Sequence, residues 1–171
     1  MKIAQALQKE YQKRIGDDWV NSPFGWIKQT LPSRTIGKIG EELVERFCNK
    51  YGIKVNRPGS HDADLVIGQA RVEVKFSTLW GAGFYKFQQI RDQGYDYIVA
   101  LGVSPDSAHC WVIPKMEAMR NAEVQHAGRR GSDTQWITID PSSPPEWIKA
   151  FGGDLRQVNV VELLRRLSQA Q

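Results

Sequence analysis

The sequence predicts a mixed α/β (α+β) fold, and three observations carry that reading. Leu43, Val44, Phe47, Cys48 and Tyr51 recur at helical spacing. After Gly52 the pattern breaks into short apolar runs divided by Gly and Pro, which reads as strands. A helical stretch and further strands follow, so the order is helix, three strands, helix, strand.

Taken in turn, residues 2–14 carry Ile3, Leu7 and Tyr11 at i, i+4, i+8 and read as an amphipathic helix that Gly16-Asp17-Asp18 interrupts. An irregular segment runs from Trp19 to Pro32. Ser33 and Thr35 are offered as N-caps of the next helix, and Gly52 as its stop. Strands are expected over Ile53–Asn56, Asp64–Ile67 and Arg71–Phe76. Gly81-Ala82-Gly83 then introduces a helix over about 84–93, followed by strands over Tyr95–Val103 and Cys110–Ile113 and a helix over Lys115–Val124. A basic glycine loop, Ala127 to Ser132, leads to a strand over Trp136–Ile139 and a turn at Pro141–Pro145. Val160, Val161, Leu163, Leu164 and Leu167 mark a last amphipathic helix. Residues 1–171 are expected to form one domain, its core at about 33–115, with the helix over 2–14 and an extension over 125–171 added to it.

With 171 residues, 41% of them apolar and 25% charged, the chain has the proportions of a globular protein able to bury a core without staples. Its two cysteines suggest neither a disulfide framework nor a zinc site and fit a reducing cytoplasm. The longest apolar stretch, Tyr97–Val103, is far below the roughly 20 residues a membrane helix needs, and the N-terminus is too polar for a secretory signal. A formal charge of +4 permits a nucleic-acid partner without requiring one.

The chemistry concentrates in residues 41–75. The strand period of two puts Glu73 and Lys75 on one face and Val72, Val74 and Phe76 on the other. A hairpin register pairing Ile67 with Val72 and Val66 with Glu73 keeps the apolar residues together and sets Asp64 opposite Lys75. Helical phase places Glu41 at the edge of the apolar stripe, able to face the sheet, and turns Glu42 to water. Carboxylates gathered with a lysine at one strand edge suit Mg²⁺ and a phosphate, which is equipment for phosphodiester hydrolysis.

Gly37-Lys38-Ile39-Gly40-Glu41, Asp64 and Glu73-Val74-Lys75 together resemble the PD-(D/E)XK nuclease superfamily, over residues 33–115 or so. Ala63 stands where the name-giving proline would be. The resemblance implies a restriction-endonuclease-like core, a central mixed sheet flanked by helices in the order αβββαβ. It implies Asp64 and Glu73 as ligands of Mg²⁺, with Mn²⁺ as substitute, Lys75 as the catalytic lysine, Glu41 as the helical acid and DNA as substrate. Gln88 or Gln89 would be a supporting residue, Gln88 standing nearer the apolar face on a helix. The expected activity is that of a metal-dependent DNA endonuclease, restriction-type in the first reading. A junction resolvase or repair nuclease is the alternative, and a binding module without catalysis a third.

Lys86, Arg91, Arg129 and Arg130 are candidate phosphate contacts or ordinary surface charge. Trp19, Trp26 and Trp80 either stack on bases or fill a core. His61-Asp62 sits in a polar loop, and neither His109-Cys110 nor His126 has zinc-ligand spacing. The stripe of Val160, Val161, Leu164 and Leu167 offers either a homodimer contact or packing onto its own domain.

Overall fold

The computed structural model describes residues 17–28, 31–59, 62–125 and 134–169. The helix expected over 2–14, the loop with Arg129 and Arg130, and His61 and His126 lie outside them. After two short 3-10 turns, the order is α1 (Ser33–Lys50), β1 (Val55–Asn56), β2 (Leu65–Ile67), β3 (Ala70–Thr78), β4 (Tyr85–Ile90), β5 (Tyr97–Val103), β6 (Ala108–Pro114), α2 (Lys115–Asn121), β7 (Glu123–Gln125), β8 (Thr134–Ile139), a 3-10 turn at Glu146–Phe151, β9 (Gly152–Asp154) and α3 (Val160–Gln169). The fold is mixed α+β, a central mixed sheet flanked by helices.

Six strands form that sheet in the order β1-β2-β3-β5-β6-β9, with β3 and β5 parallel and the other pairs antiparallel. One face carries the helices: Val44 and Cys48 of α1 and Val160, Leu164 and Leu167 of α3 join Leu65, Val72, Val99 and Val112 in one core. The C-terminal stripe is therefore spent on its own domain. The other face is covered by a three-stranded sheet, β4-β8-β7, and by α2, whose Ala118 shares a core with Tyr85, Phe87, Ile98, Trp111 and Ile137.

Three local expectations are corrected. Residues 84–93 hold strand β4 rather than a helix. Phe84, Phe87 and Ile90 mimic helical spacing, but Tyr85 and Phe87 alternate inward, and a bulge at Gln89, with φ of +56°, turns Ile90 back into the core. The β2–β3 register pairs Leu65 with Val72 and Ile67 with Ala70, two residues from the expected one. The cause is the turn: Gly68 adopts φ of +63°, which allows a two-residue connection where the expected register needs a longer one. Because the slip is even, the two faces of the hairpin keep their residues. Finally, α1 starts without a side-chain cap; the Pro32 carbonyl accepts the Thr35 and Ile36 amides instead.

Two glycines set close approaches. A Cβ on Gly40 would lie 2.8 Å from Cγ of Phe76, so α1 lies directly on β3. A Cβ on Gly68 would lie 2.7 Å from Cα of Ser168, so the hairpin turn lies against the end of α3.

Candidate active site

β2 is short and β3 is long, and that mismatch makes the site. β2 covers β3 only as far as Val72, and beyond it, among the described residues, no strand pairs with that edge of β3. Asp64 stands where the ladder ends. Its backbone N–H donates to the Val72 carbonyl at 2.9 Å, and its carboxylate Oδ2 accepts the Val74 N–H at 2.7 Å, a bond the next strand residue would otherwise have supplied. Asp64 is thus aligned with Glu73 across the hairpin, not with Lys75.

The alternation of β3 sends Val72 and Val74 into the core under α1 and leaves Glu73, Lys75 and Ser77 on the opposite face. Lys75 Nζ donates to Glu73 Oε1 at 2.8 Å, and only 15% and 14% of the two side chains is exposed. The sequence had set Lys75 against Asp64 instead; the two-residue turn moves the partner. Burial raises the Glu73 carboxyl above its ordinary value; Lys75 pulls it down, while Asp64 and Glu41 push it up. Three carboxylates and one ammonium therefore share a poorly hydrated corner with an excess of negative charge.

Glu41 and Glu42 divide as helical phase requires. Glu41 lies close enough to act on Glu73 and is held by Arg57 at 2.7 Å, a guanidinium that also grips Glu45 at 2.7 Å. Glu42 is more exposed and faces Arg46 at 3.7 Å.

The donor set fits a small hard cation. Asp64 Oδ1 and Glu73 Oε2 have no hydrogen-bond partner among the described residues. Among those residues no group of three or more His, Cys, Asp or Glu is placed to enclose a metal. Mg²⁺ needs no such cage, since one or two carboxylates with waters and substrate phosphates suffice. Asp64 and Glu73 are the residues that would hold it.

Beside this corner opens a cleft of about 620 Å³. Its walls are the first turn of α1 with Arg34, the free edge of β3 with Lys75, and the outer face of β4 with Lys86 and Gln88; Trp80 stands at its lip. Gln88 and Gln89 both line it, from a strand and its bulge rather than from a helix. Arg91 lies beyond the end of β4 and does not line it. Lys86 is fixed twice: its N–H donates to Ser77 Oγ at 3.0 Å, and its ammonium lies 4.5 Å from the Trp80 ring and 5.4 Å from that of Trp136. Arg34 was missed in the sequence, though a signal was there. α1 has no acid in its first turn and an arginine instead, the arrangement its dipole disfavours unless an anion approaches.

A smaller cavity of about 180 Å³ between α1, α3 and the sheet is lined by apolar side chains and Cys110. Burial pushes the Cys110 thiol up to about 12, so it stays protonated and is no nucleophile. Cys48 and Cys110 are both free.

No protein-family model and no curated protein matches the sequence. Among solved structures, the chain is similar to a bacterial homing endonuclease, I-Ssp6803I, at 16% identity and a TM-score of 0.49, over 82% of this chain and 100% of that one. Among the described residues no helix is long and apolar enough to cross a membrane.

Proposed function

We propose that the protein is a divalent-metal-dependent DNA endonuclease. The observation that carries this reading is the buried Glu73–Lys75 pair beside Asp64 and Glu41, at the free edge of β3 and next to a cleft lined by cations. As a purely structural cluster it would be costly, because burial and like charge both penalise Glu73. As a metal and phosphate site the same excess charge is useful. A bound Mg²⁺ or Mn²⁺ supplies Lewis-acid polarisation of the phosphate and a more acidic water.

In the reaction a water oxygen forms a bond to phosphorus and one P–O ester bond breaks; the water loses a proton to solvent and the departing sugar oxygen gains one. Asp64 and Glu73 hold the cation. Lys75, fixed by Glu73, presents a compact positive charge to the phosphate, where charge builds in the transition state. Glu41 is a positioning residue, its carboxylate kept at the corner by Arg57. Lys86 and Arg34 hold flanking phosphates.

From the sequence, restriction-type cutting of duplex DNA is the first expectation and junction or repair cutting the alternative. A restriction-type enzyme with the one candidate site found among the described residues would call for two copies on a two-fold target. The test is to incubate the protein with plasmid, linear duplex, single-stranded and branched DNA, with and without Mg²⁺. Metal-dependent cleavage of any of them supports the reading. No cleavage with Mg²⁺ or Mn²⁺, or equal cleavage in excess EDTA, overturns it.

A further inference from the structure

Trp80 is a large apolar residue, 41% exposed, at the lip of the cleft. Its position is nevertheless well defined. The Trp80 N–H donates to the Phe84 carbonyl at 3.0 Å, and its own carbonyl accepts the Gly83 N–H at 2.9 Å. Gly83 closes this turn with φ of +87°. One residue earlier, Lys28 Nζ donates to the Leu79 carbonyl at 3.0 Å. The Lys86 ammonium then holds the ring from 4.5 Å. With its backbone fixed, a cation over one face and 41% of the residue exposed, Trp80 offers a flat aromatic surface to the cleft.

Its surroundings say what lies on it. Among the described residues, those lining the cleft include Arg34, Lys75 and Lys86 and no carboxylate. An aromatic face among cations suits a flat base whose phosphates are taken by the neighbouring ammonium groups. We propose that Trp80 stacks on an unpaired base, so that the preferred substrate is DNA with a single-stranded, bulged or branched element near the cut. This rests on the endonuclease reading above and names its substrate class. In an intact duplex both faces of each base are covered by its neighbours, and no face is free for Trp80 until the base is unstacked. Trp80 and Lys75 line the same cleft, so a base on Trp80 would lie beside the strand that bears Lys75.

The test uses the full chain and two DNA substrates differing by one nucleotide, a paired duplex and the same duplex with a single-nucleotide bulge that carries 2-aminopurine. Binding is read by anisotropy and by 2-aminopurine fluorescence in Ca²⁺, and cleavage is read under single turnover in Mg²⁺. The bulged DNA should bind about tenfold more tightly, with its probe quenched on binding. Trp80→Ala should lose both the quench and the preference, and Trp80→Phe should retain part of each. Equal affinity for the two DNAs, or a quench that survives Trp80→Ala, overturns the proposal. The two readings fail separately. Metal-dependent cleavage without preference for the bulge leaves the endonuclease and removes the platform; quenching and preference without cleavage in Mg²⁺ or Mn²⁺ leave a stacking site and remove the endonuclease.

Discussion

The Asp64 carboxylate accepts the Val74 amide hydrogen at 2.7 Å, and so a side chain ends the ladder between β2 and β3. One oxygen closes the sheet edge while the other is left for a ligand. In the proposed reading, structure and chemistry fall to different atoms of one residue.

Asp64→Asn should separate them. Its amide oxygen can still accept the Val74 N–H, so the melting temperature should change little, whereas metal-dependent cleavage should fall by at least about 10² because the anionic donor is gone. Single-turnover cleavage at rising Mg²⁺, beside a thermal melt, checks both halves.

Lys75→Ala should do more than slow the reaction. With 15% of its side chain exposed, Lys75 is not a surface partner, and its removal leaves the Glu73 carboxylate buried beside two others. We expect a stability loss of roughly 1–3 kcal/mol in metal-free protein, less than for a fully buried pair. Glu73→Gln in the same chain should recover most of it. Neither variant should cut, and Lys75→Arg should not restore the rate, since a planar fork does not replace a compact charge. Urea unfolding of the three variants gives the stabilities.

Glu41→Gln and Glu42→Gln are one residue apart and should behave oppositely. Glu41 faces the corner of the site, so its loss should slow cleavage. Glu42 makes an exposed contact with Arg46 worth about 0.3–0.5 kcal/mol, and its loss should be nearly silent. Parallel rate measurements decide it.

Two opposing effects meet at Gly40. In a helix interior, Gly→Ala gains up to about 1 kcal/mol of propensity. Here the new methyl would meet the base of the Phe76 side chain, 2.8 Å from Cγ, which cannot swing away as a flexible tip could. The strain of overpacking, about 1–3 kcal/mol, should win, so Gly40→Ala destabilises. A double-mutant cycle with Phe76→Ala should show a smaller cost in the second background.

His109 should make stability depend on pH. Burial holds its imidazole below the ordinary 6.5, with Asp154 and Asp106 pulling it up and Arg156 down; its Nδ1 lies 3.0 Å from the Tyr85 hydroxyl, and its ring stacks on Trp111. The unfolded chain takes up this proton first. The contribution is therefore complete above about pH 6.5 and is lost as pH falls from there toward the lowered folded value. Melting temperatures from pH 8 to 5 should decline more steeply for the wild type than for His109→Gln.

The placement of the candidate residues was legible in the sequence to the extent that they obey a period. Glu41 follows from the stripe of α1, and Glu73 and Lys75 follow from alternation along β3. Their partners were not legible, because a register depends on the turn, and Gly68 allows both a tight connection and a looser one. β4 escaped for a related reason: the bulge at Gln89 replaces a spacing of two by one of three, and Phe87 and Ile90 then imitate a helix. The cleft itself was beyond reach, since Arg34, Lys75, Trp80 and Lys86 come together only when the free edge of β3 meets α1 and β4.

The close approach of Gly68 to Ser168 joins the tip of the hairpin to a helix about a hundred residues further along the chain. As the polypeptide leaves the ribosome, the hairpin that carries Asp64 and Glu73 emerges long before the element that braces its turn. Closing so long a loop is slow compared with forming α1 or the hairpin, so the hairpin gains its final support among the last events of folding. A nascent chain would thus carry its acids and lysine on an unbraced ribbon until α3 forms.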